Sequence, residues 1–204
     1  MKKMMFNDKY GLTQAVLEGR KTMTRRIVPD GTPLGNWSET ENKARFKVGE
    51  IVAVAQSYGT ILDELEDPRN FSCMEHWESK SGDRAKYAEM AMYSPGGNNK
   101  MFVLAEEMPH QIRITNVRVE RLQDISDGDV YKEGFSKEAV NNGWGNYAYH
   151  YEAMLVYYDK LGRSKEIRSR TPRDAYADLI DKVSGKGTWA SNPWVFVYEF
   201  ELVK

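Results

Sequence analysis

Residues 12–29 read LTQAVLEGRKTMTRRIVP, and the way this run breaks decides the architecture around it. Leu12, Ala15, Val16 and Gly19 recur at helical spacing and make one face of a short amphipathic helix. Gly19 suits the position just past the helix end, where a left-handed backbone costs glycine least. From Thr22 the pattern changes to alternation. Thr22, Thr24, Arg26 and Val28 interleave with Met23, Arg25 and Ile27, and Pro29 closes the run. The spacing predicts a strand directly after the helix. Lys21 and Thr24, three apart, would project to opposite faces of a regular strand. They converge only if Lys21 stays on the turn that Gly19 creates.

Working outward, residues 30–45 are polar and turn-rich and predict a loop. FKVGEIVAV, Phe46 to Val54, predicts a strand after a turn at Gly49-Glu50. Residues 56–100 carry Pro68, Asn70 and the run Pro95-Gly96-Gly97-Asn98-Asn99, and read as an insertion with short elements. Met101 to Ala105 is apolar and reads as a strand. Ile112, Ile114, Val117 and Val119 predict a long strand, with a bulge near Asn116 where the alternation slips. Ser126, with Asp129 three residues later, imitates a capping box at a helix start. Residues 136–170 form a second irregular region rich in aromatics, among them Trp144, Tyr147, Tyr149, Tyr151, Tyr157 and Tyr158. Pro172 opens a helix running to about Val183, with Ala175, Leu179, Ile180 and Val183 on one face and Gly185 and Gly187 ending it. Trp194 to Leu202 alternates as a final strand. Strands that do not alternate with long helices predict an α+β, mainly β fold. The expected form is a small, mostly antiparallel β-barrel or curled sheet with two or three rim helices. It is read as one domain over 1–204, with insertions at about 56–100 and 136–170.

Composition narrows the function classes. The chain has 204 residues, 41% hydrophobic and 29% charged, which excludes disorder over most of its length. A single cysteine, Cys73, excludes an internal disulfide, a cysteine-rich zinc site and an iron–sulfur cluster, and fits a reducing compartment. No run approaches the ~18 apolar residues of a membrane span. The opening MKKMMFNDKYG has no apolar stretch behind its lysines, so no secretory signal is expected. A cytoplasmic protein is the expectation. Net charge is −1, which argues against a whole-body grip on nucleic acid but leaves room for a local basic face. Two basic clusters stand out: Arg20, Lys21, Arg25 and Arg26, and Arg163, Lys165, Arg168, Arg170 and Arg173. There is no phosphate-cradling GxxxxGKS/T loop, no GxGxxG after a strand and no GxSxG elbow. His76, His110 and His150 are far apart, so neither a metal nor a cofactor is expected.

The dense chemistry lies in Gly19 to Arg26. Cationic neighbours disfavour the charged form of Lys21, and its pKa should fall if water is kept away. A lysine tuned toward neutrality could take the proton of the Thr24 hydroxyl and leave a nucleophile. The alternative is that Lys21 and the arginines are solvated rim charges and Thr24 an ordinary strand residue.

The segment resembles the G-x-K-x-x-(E/T)-x-R signature of the ASCH domain, a relative of the PUA RNA-binding fold, matched by Gly19, Lys21, Thr24 and Arg26. FKVGEIVAV is similar to the strand that follows the signature. Met108-Pro109, RITNVRVERLQDIS, Asp129-Val-Tyr-Lys-Glu133-Gly134 and the ending Trp189-Ala-Ser-Asn-Pro193-Trp194 resemble the phage and prophage branch. His110 stands where that branch carries arginine. The resemblance implies a small barrel with a cleft beside the signature. It also implies an amidohydrolase that removes the acyl group from N4-acetylcytidine, its working set a lysine, a threonine and a glutamate. Carried over, these are Lys21, Thr24 and Glu133. Lys21 would activate Thr24, Thr24 would attack the amide carbonyl, and Glu133 would handle the proton on the leaving amine. Arg20, Thr22, Arg25 and Arg26 are the neighbours expected to bind substrate or nucleic acid, Arg26 by orienting it or stabilising an oxyanion. The rival reading is a non-catalytic PUA-like module that binds RNA, another single strand or a modified base. Its grip would come from Arg25, Arg26 and the Arg163–Arg173 run, with stacking on Trp144 or Trp189. A third is a phage-encoded protein whose insertions bind a host factor.

Overall fold

The helix over Leu12–Leu17 stops where glycine permits: Glu18 is its C-cap, and Gly19 turns the chain with φ +72°. The computed structural model describes residues 1–67, 81–140, 149–158 and 161–203. In chain order its strands and α-helices are β1 (Lys2–Met4), α1 (Leu12–Leu17), β2 (Met23–Ile27), α2 (Trp37–Asn42), β3 (Ile51–Val54), α3 (Tyr58–Glu66), α4 (Ser81–Tyr93), β4 (Gln111–Arg121), α5 (Asp127–Lys132), β5 (Ser136–Val140), β6 (Tyr149–Tyr158), β7 (Ser164–Ser169), α6 (Pro172–Ser184), α7 (Thr188–Ser191) and β8 (Trp194–Leu202). The fold is mixed α+β. The chain divides into two compact units, one of residues 1–6 and 51–111, the other of residues 7–50 and 112–203.

In the first unit β1 and β3 pair in parallel, Lys2 opposite Val52 and Met4 opposite Val54. Ser57 caps α3 by accepting from the Thr60 amide at 3.2 Å. Tyr58 and Ile61 of that helix pack with Tyr87 of α4 and with Ala53, Val103 and Met108 in one apolar cluster. Met101 to Ala105, expected as a strand, instead lies in 3-10 turns at Lys100–Phe102 and Ala105–Glu107. The Asn99 side chain accepts from the Met101 amide at 3.0 Å and so closes a turn. Cys73 and His76 lie outside the described residues.

The second unit is built on β8. Trp194–Leu202 runs antiparallel to β2 on one side and β4 on the other. Val195, Phe196, Val197 and Tyr198, which alternate between its two faces, are all buried, so the strand is covered on both sides. The expected bulge is present, as a register shift between Ile114 and Asn116. Three expectations for α-helix starts and ends hold closely. Ser126 accepts from the Asp129 amide at 3.1 Å and caps α5. Thr171 caps α6, with Pro172 in its first turn, and α6 extends one residue past Val183 to Ser184.

In this unit two further expectations fail. Residues 30–45 are not all loop, because Asn36 caps the short helix α2. That helix buries only Thr40, so it carries no apolar periodicity to read. Among the described residues of 136–170, the expected irregularity gives way to an antiparallel meander of β5, β6 and β7 in that order, and α6 packs on β6 and β7. Neither sheet of this unit closes into a barrel among the described residues. Also among the described residues, no helix is long and apolar enough to cross a membrane. No three His, Cys, Asp or Glu side chains there gather as a group that could hold a metal.

Candidate functional site: a buried lysine–carboxylate–arginine cluster

The turn at Gly19 folds the chain back on α1. The Lys21 amide donates to the Ala15 carbonyl at 2.8 Å, and the Thr22 amide to the Lys132 carbonyl at 2.9 Å. Lys21 and Glu133 thereby meet in an isolated antiparallel bridge. Glu133 is the C-cap of α5. Gly134 follows with φ +107°, and a Cβ there would stand 3.4 Å from the Ala15 Cβ and 3.5 Å from the Lys21 Cβ. These are ordinary contact distances, so it is the backbone angle that favours glycine at this point.

These backbone contacts bring the two side chains together out of water. The Lys21 side chain is 1% exposed and that of Glu133 4%. Lys21 Nζ donates to the Glu133 carbonyl at 3.0 Å and also to the Glu133 carboxylate. Arg25 holds the other carboxylate oxygen at 3.1 Å, and its side chain is 0% exposed. The same guanidinium donates to Glu120 at 2.7 and 2.9 Å and to Asp129 at 3.0 Å. Arg118 extends the network outward, bonding Asp129 at 2.7 Å and Glu120 at 3.0 Å and pairing with Glu199. From within, the Tyr176 hydroxyl donates to Glu133 at 3.4 Å. The arrangement alternates in sign along its length, which is how a buried set of charges offsets its desolvation.

Burial pushes the Lys21 amine below its usual range. The Glu133 carboxylate draws it partly back, and the positive charges of Arg26 and Arg25 lower it further. Burial also works against the Arg25 charge, but Glu133, Tyr176 and Glu120 outweigh it and raise the pKa above the ordinary arginine value. Burial and the neighbouring Glu133 charge push the Tyr176 hydroxyl well above the ordinary tyrosine value. Chemically, the cluster presents an amine that burial makes readier to give up its proton than a solvated lysine, beside a carboxylate locked in one orientation. Such a pair can accept and return a proton.

The other expected site residues are placed unevenly. Thr24 is buried in β2, opposite Tyr198, whereas Arg25 lies opposite Val197. Strand alternation therefore sends Thr24 to the other face of the sheet, and no hydrogen bond joins it to Lys21 or Glu133. Arg26 follows Thr24 on that face and is exposed. Arg20 is exposed, bonding Glu18 at 2.7 Å and the Gly134 carbonyl at 3.3 Å. Thr22 takes part through its backbone, its carbonyl accepting from the Phe200 amide at 2.9 Å. Trp189 packs edge-on to Tyr176 with centroids 6.2 Å apart, its backbone held by Asp181 and Gln123. It anchors α7. Trp144 and Tyr147 lie outside the described residues. Sequence reasoning missed Glu120, Arg118, Tyr176 and Glu199 as partners, and took Asp129 only for its place in the cap. The one available signal was the charge of Arg118, Glu120 and Glu199 on strands that otherwise bury apolar groups. Comparison of the chain with protein-family models, with curated proteins and with solved structures found no match in any of the three.

Proposed function

We propose that this is an ASCH-type, PUA-like protein, its sheet the curled form of that family's small barrel, and that it hydrolyses the amide of an N4-acylated cytidine. One observation carries the reading. A buried lysine with a lowered pKa is hydrogen-bonded to a carboxylate that lies 112 positions away. Both members come from the segments that resemble the family. In the reaction the attacking hydroxyl oxygen adds to the amide carbonyl while its proton passes to the Lys21 amine. Collapse of the tetrahedral intermediate breaks the carbon–nitrogen bond, and the proton leaves with the cytidine amine by way of Glu133. If Thr24 is the nucleophile, water then hydrolyses the acyl-threonine ester. This route needs Thr24, which β2 turns to the face opposite Arg25, to be brought round to the Lys21 side, whereas attack by water needs no such rearrangement.

The test is incubation with N4-acetylcytidine, followed by chromatography for released cytidine. Turnover is expected, falling at least ~100-fold in Lys21→Ala and Glu133→Gln, the usual share of a general acid–base group. Thr24→Ala separates the two attacking groups: loss of turnover marks threonine as nucleophile, and retention marks water. No turnover by the wild type, or turnover unaffected by Lys21→Ala, ends the reading.

A further inference from the structure

Gln56 is a buried polar residue that the unit of residues 1–6 and 51–111 leaves half used. It lies between β3 and Ser57, the N-cap of α3, and is 2% exposed. Its backbone amide donates to the Met108 thioether at 3.4 Å. Its side-chain Nε2 donates to Glu64 Oε1, two turns along α3, at 2.7 Å. The oxygen of the same side-chain amide is buried and has no hydrogen-bond partner. A buried amide oxygen without a donor is costly, and native structures rarely leave one so.

The amide already grips a group able to donate, the Glu64 carboxyl, once that carboxyl carries a proton. A protonated carboxyl has one donor and one acceptor, and so has the edge of a primary amide. Side by side they close a ring of two hydrogen bonds, Gln56 Nε2 to Glu64 Oε1 and Glu64 Oε2 to Gln56 Oε1. Turning the amide over would set its oxygen 2.7 Å from Glu64 Oε1, a contact that also demands a proton between them. The place of Glu64 in the helix favours its neutral form. The last turn of α3 and its C-cap carry Asp63, Glu64, Glu66 and Asp67, and the carbonyl end of a helix disfavours negative charge. Burial raises the Glu64 pKa above the ordinary 4.5 and the Asp63 charge adds to it, while the bond from Gln56 Nε2 pulls the other way. His110, from the stretch leading into β4, has its Nε2 3.9 Å from Glu64 Oε2. Its cation, where it forms, favours the charged carboxylate.

We propose that Glu64 carries a proton in the folded chain and donates it to Gln56 Oε1, closing a two-bond ring that latches the last turn of α3 to the chain leading into its first. Loss of the proton opens the ring, puts a charge at the helix end that disfavours it and leaves Gln56 Oε1 without a donor. Because α3 carries Tyr58 and Ile61 into the apolar cluster of this unit, the ring couples a single proton to that cluster. Its stabilising effect is full below the ordinary carboxyl value of 4.5 and is lost as pH rises through the raised value of the folded chain. Gln56 and Glu64 lie outside the unit that holds Lys21 and Glu133, so the switch does not depend on the deacylase reading.

The experiment is a carbon-13 NMR titration of the full chain, joined to amide hydrogen exchange. The Glu64 carboxyl carbon should titrate above 4.5. The Gln56 amide carbon should shift with the same midpoint, as its oxygen gains or loses a donor. Exchange protection along residues 57–66 should fall as pH rises through that midpoint. Glu64→Gln presents a donor and an acceptor without titrating, so it should keep the acid-pH protection of the wild type at every pH. Glu64→Leu is equally uncharged but leaves both groups of the Gln56 amide unpaired. Its protection should be roughly five- to thirtyfold lower than that of Glu64→Gln, what one or two hydrogen bonds contribute. On a Gln56→Leu background the difference between the two Glu64 variants should vanish. If Glu64→Leu does not fold, the two carbon titrations of the wild type decide alone. The proposal is overturned by a Glu64 carboxyl that titrates at or below 4.5, or by Glu64→Leu protecting α3 as well as Glu64→Gln does. A Gln56 carbon that ignores the titration also overturns it, since water rather than Glu64 would then serve that oxygen.

Discussion

Arg25 illustrates how burial decides a residue's role. By sequence it is one of several cations expected to bind substrate or nucleic acid. In the fold its side chain is fully enclosed and divided among Glu120, Asp129 and Glu133. It holds Glu133 in place for Lys21 and reaches no solvent. Arg25→Met leaves three carboxylates without their shared cation and should lower stability by about 3–5 kcal/mol, read by denaturant unfolding. Arg25→Lys should recover little, since an ammonium cannot make the same forked contacts. The lowered pKa of Lys21 sets the sign of one pH effect. Between that lowered value and the ordinary 10.5 the unfolded chain binds more protons than the folded one, so stability rises with pH through that window. Tyr176 acts in the opposite direction. Its folded pKa lies above the ordinary 10.0, so its contribution is full below pH 10 and is lost as pH climbs toward the folded value. Unfolding free energies across alkaline pH should therefore fall less steeply above pH 10 in Tyr176→Phe than in the wild type. Equal slopes would mean that the Tyr176 hydroxyl is not buried.

At the scale of elements, α5 matters most, because its C-cap is Glu133. Ser126→Ala removes the cap bond to the Asp129 amide and should cost about 1 kcal/mol. The same change loosens the Asp129 side chain's grip on Arg25, so the proposed deacylation should fall by more than the stability loss alone accounts for, measured as kcat on folded protein. This helix was legible in the sequence because Ser126 and the Asp129 spacing are local signals. So were α1, β4 with its bulge, α6 and β8, each marked by periodicity or a cap. Where the signal is tertiary, reading failed. The helix α2 buries a single residue, and Met101 to Ala105 is apolar but mostly exposed. The β5–β6–β7 meander hides in a tract of mixed polar and aromatic residues whose alternation is irregular. The site divides in the same way. Gly19, Lys21 and Glu133 could be picked out from local spacing and a family pattern. The network of Arg118, Glu120 and Tyr176 could not, since pairing across strands and helices leaves no mark in a linear sequence.

At the scale of the whole molecule, the residues proposed for catalysis all belong to the unit of residues 7–50 and 112–203. The unit of residues 1–6 and 51–111 has its own apolar cluster around Tyr58, Ile61 and Tyr87. Ile61→Ala should destabilise that unit by about 2–5 kcal/mol. Hydrogen exchange should quicken across residues 51–66 and 81–111, while the protection of Lys21 and Glu133 amides stays as it was. Quickened exchange at both places would mean that the two units unfold together. The position of β8 between β2 and β4 bears on how the chain is made. A ribosome releases the two flanking strands before the one that joins them. Until Trp194–Leu202 emerges, Met23, Ile112 and Ile114 have no central ladder to close over them, and both flanking strands offer bare edges to passing nascent chains. This unit must therefore mature late, and the interval before its middle strand arrives is when the protein most needs shelter from aggregation.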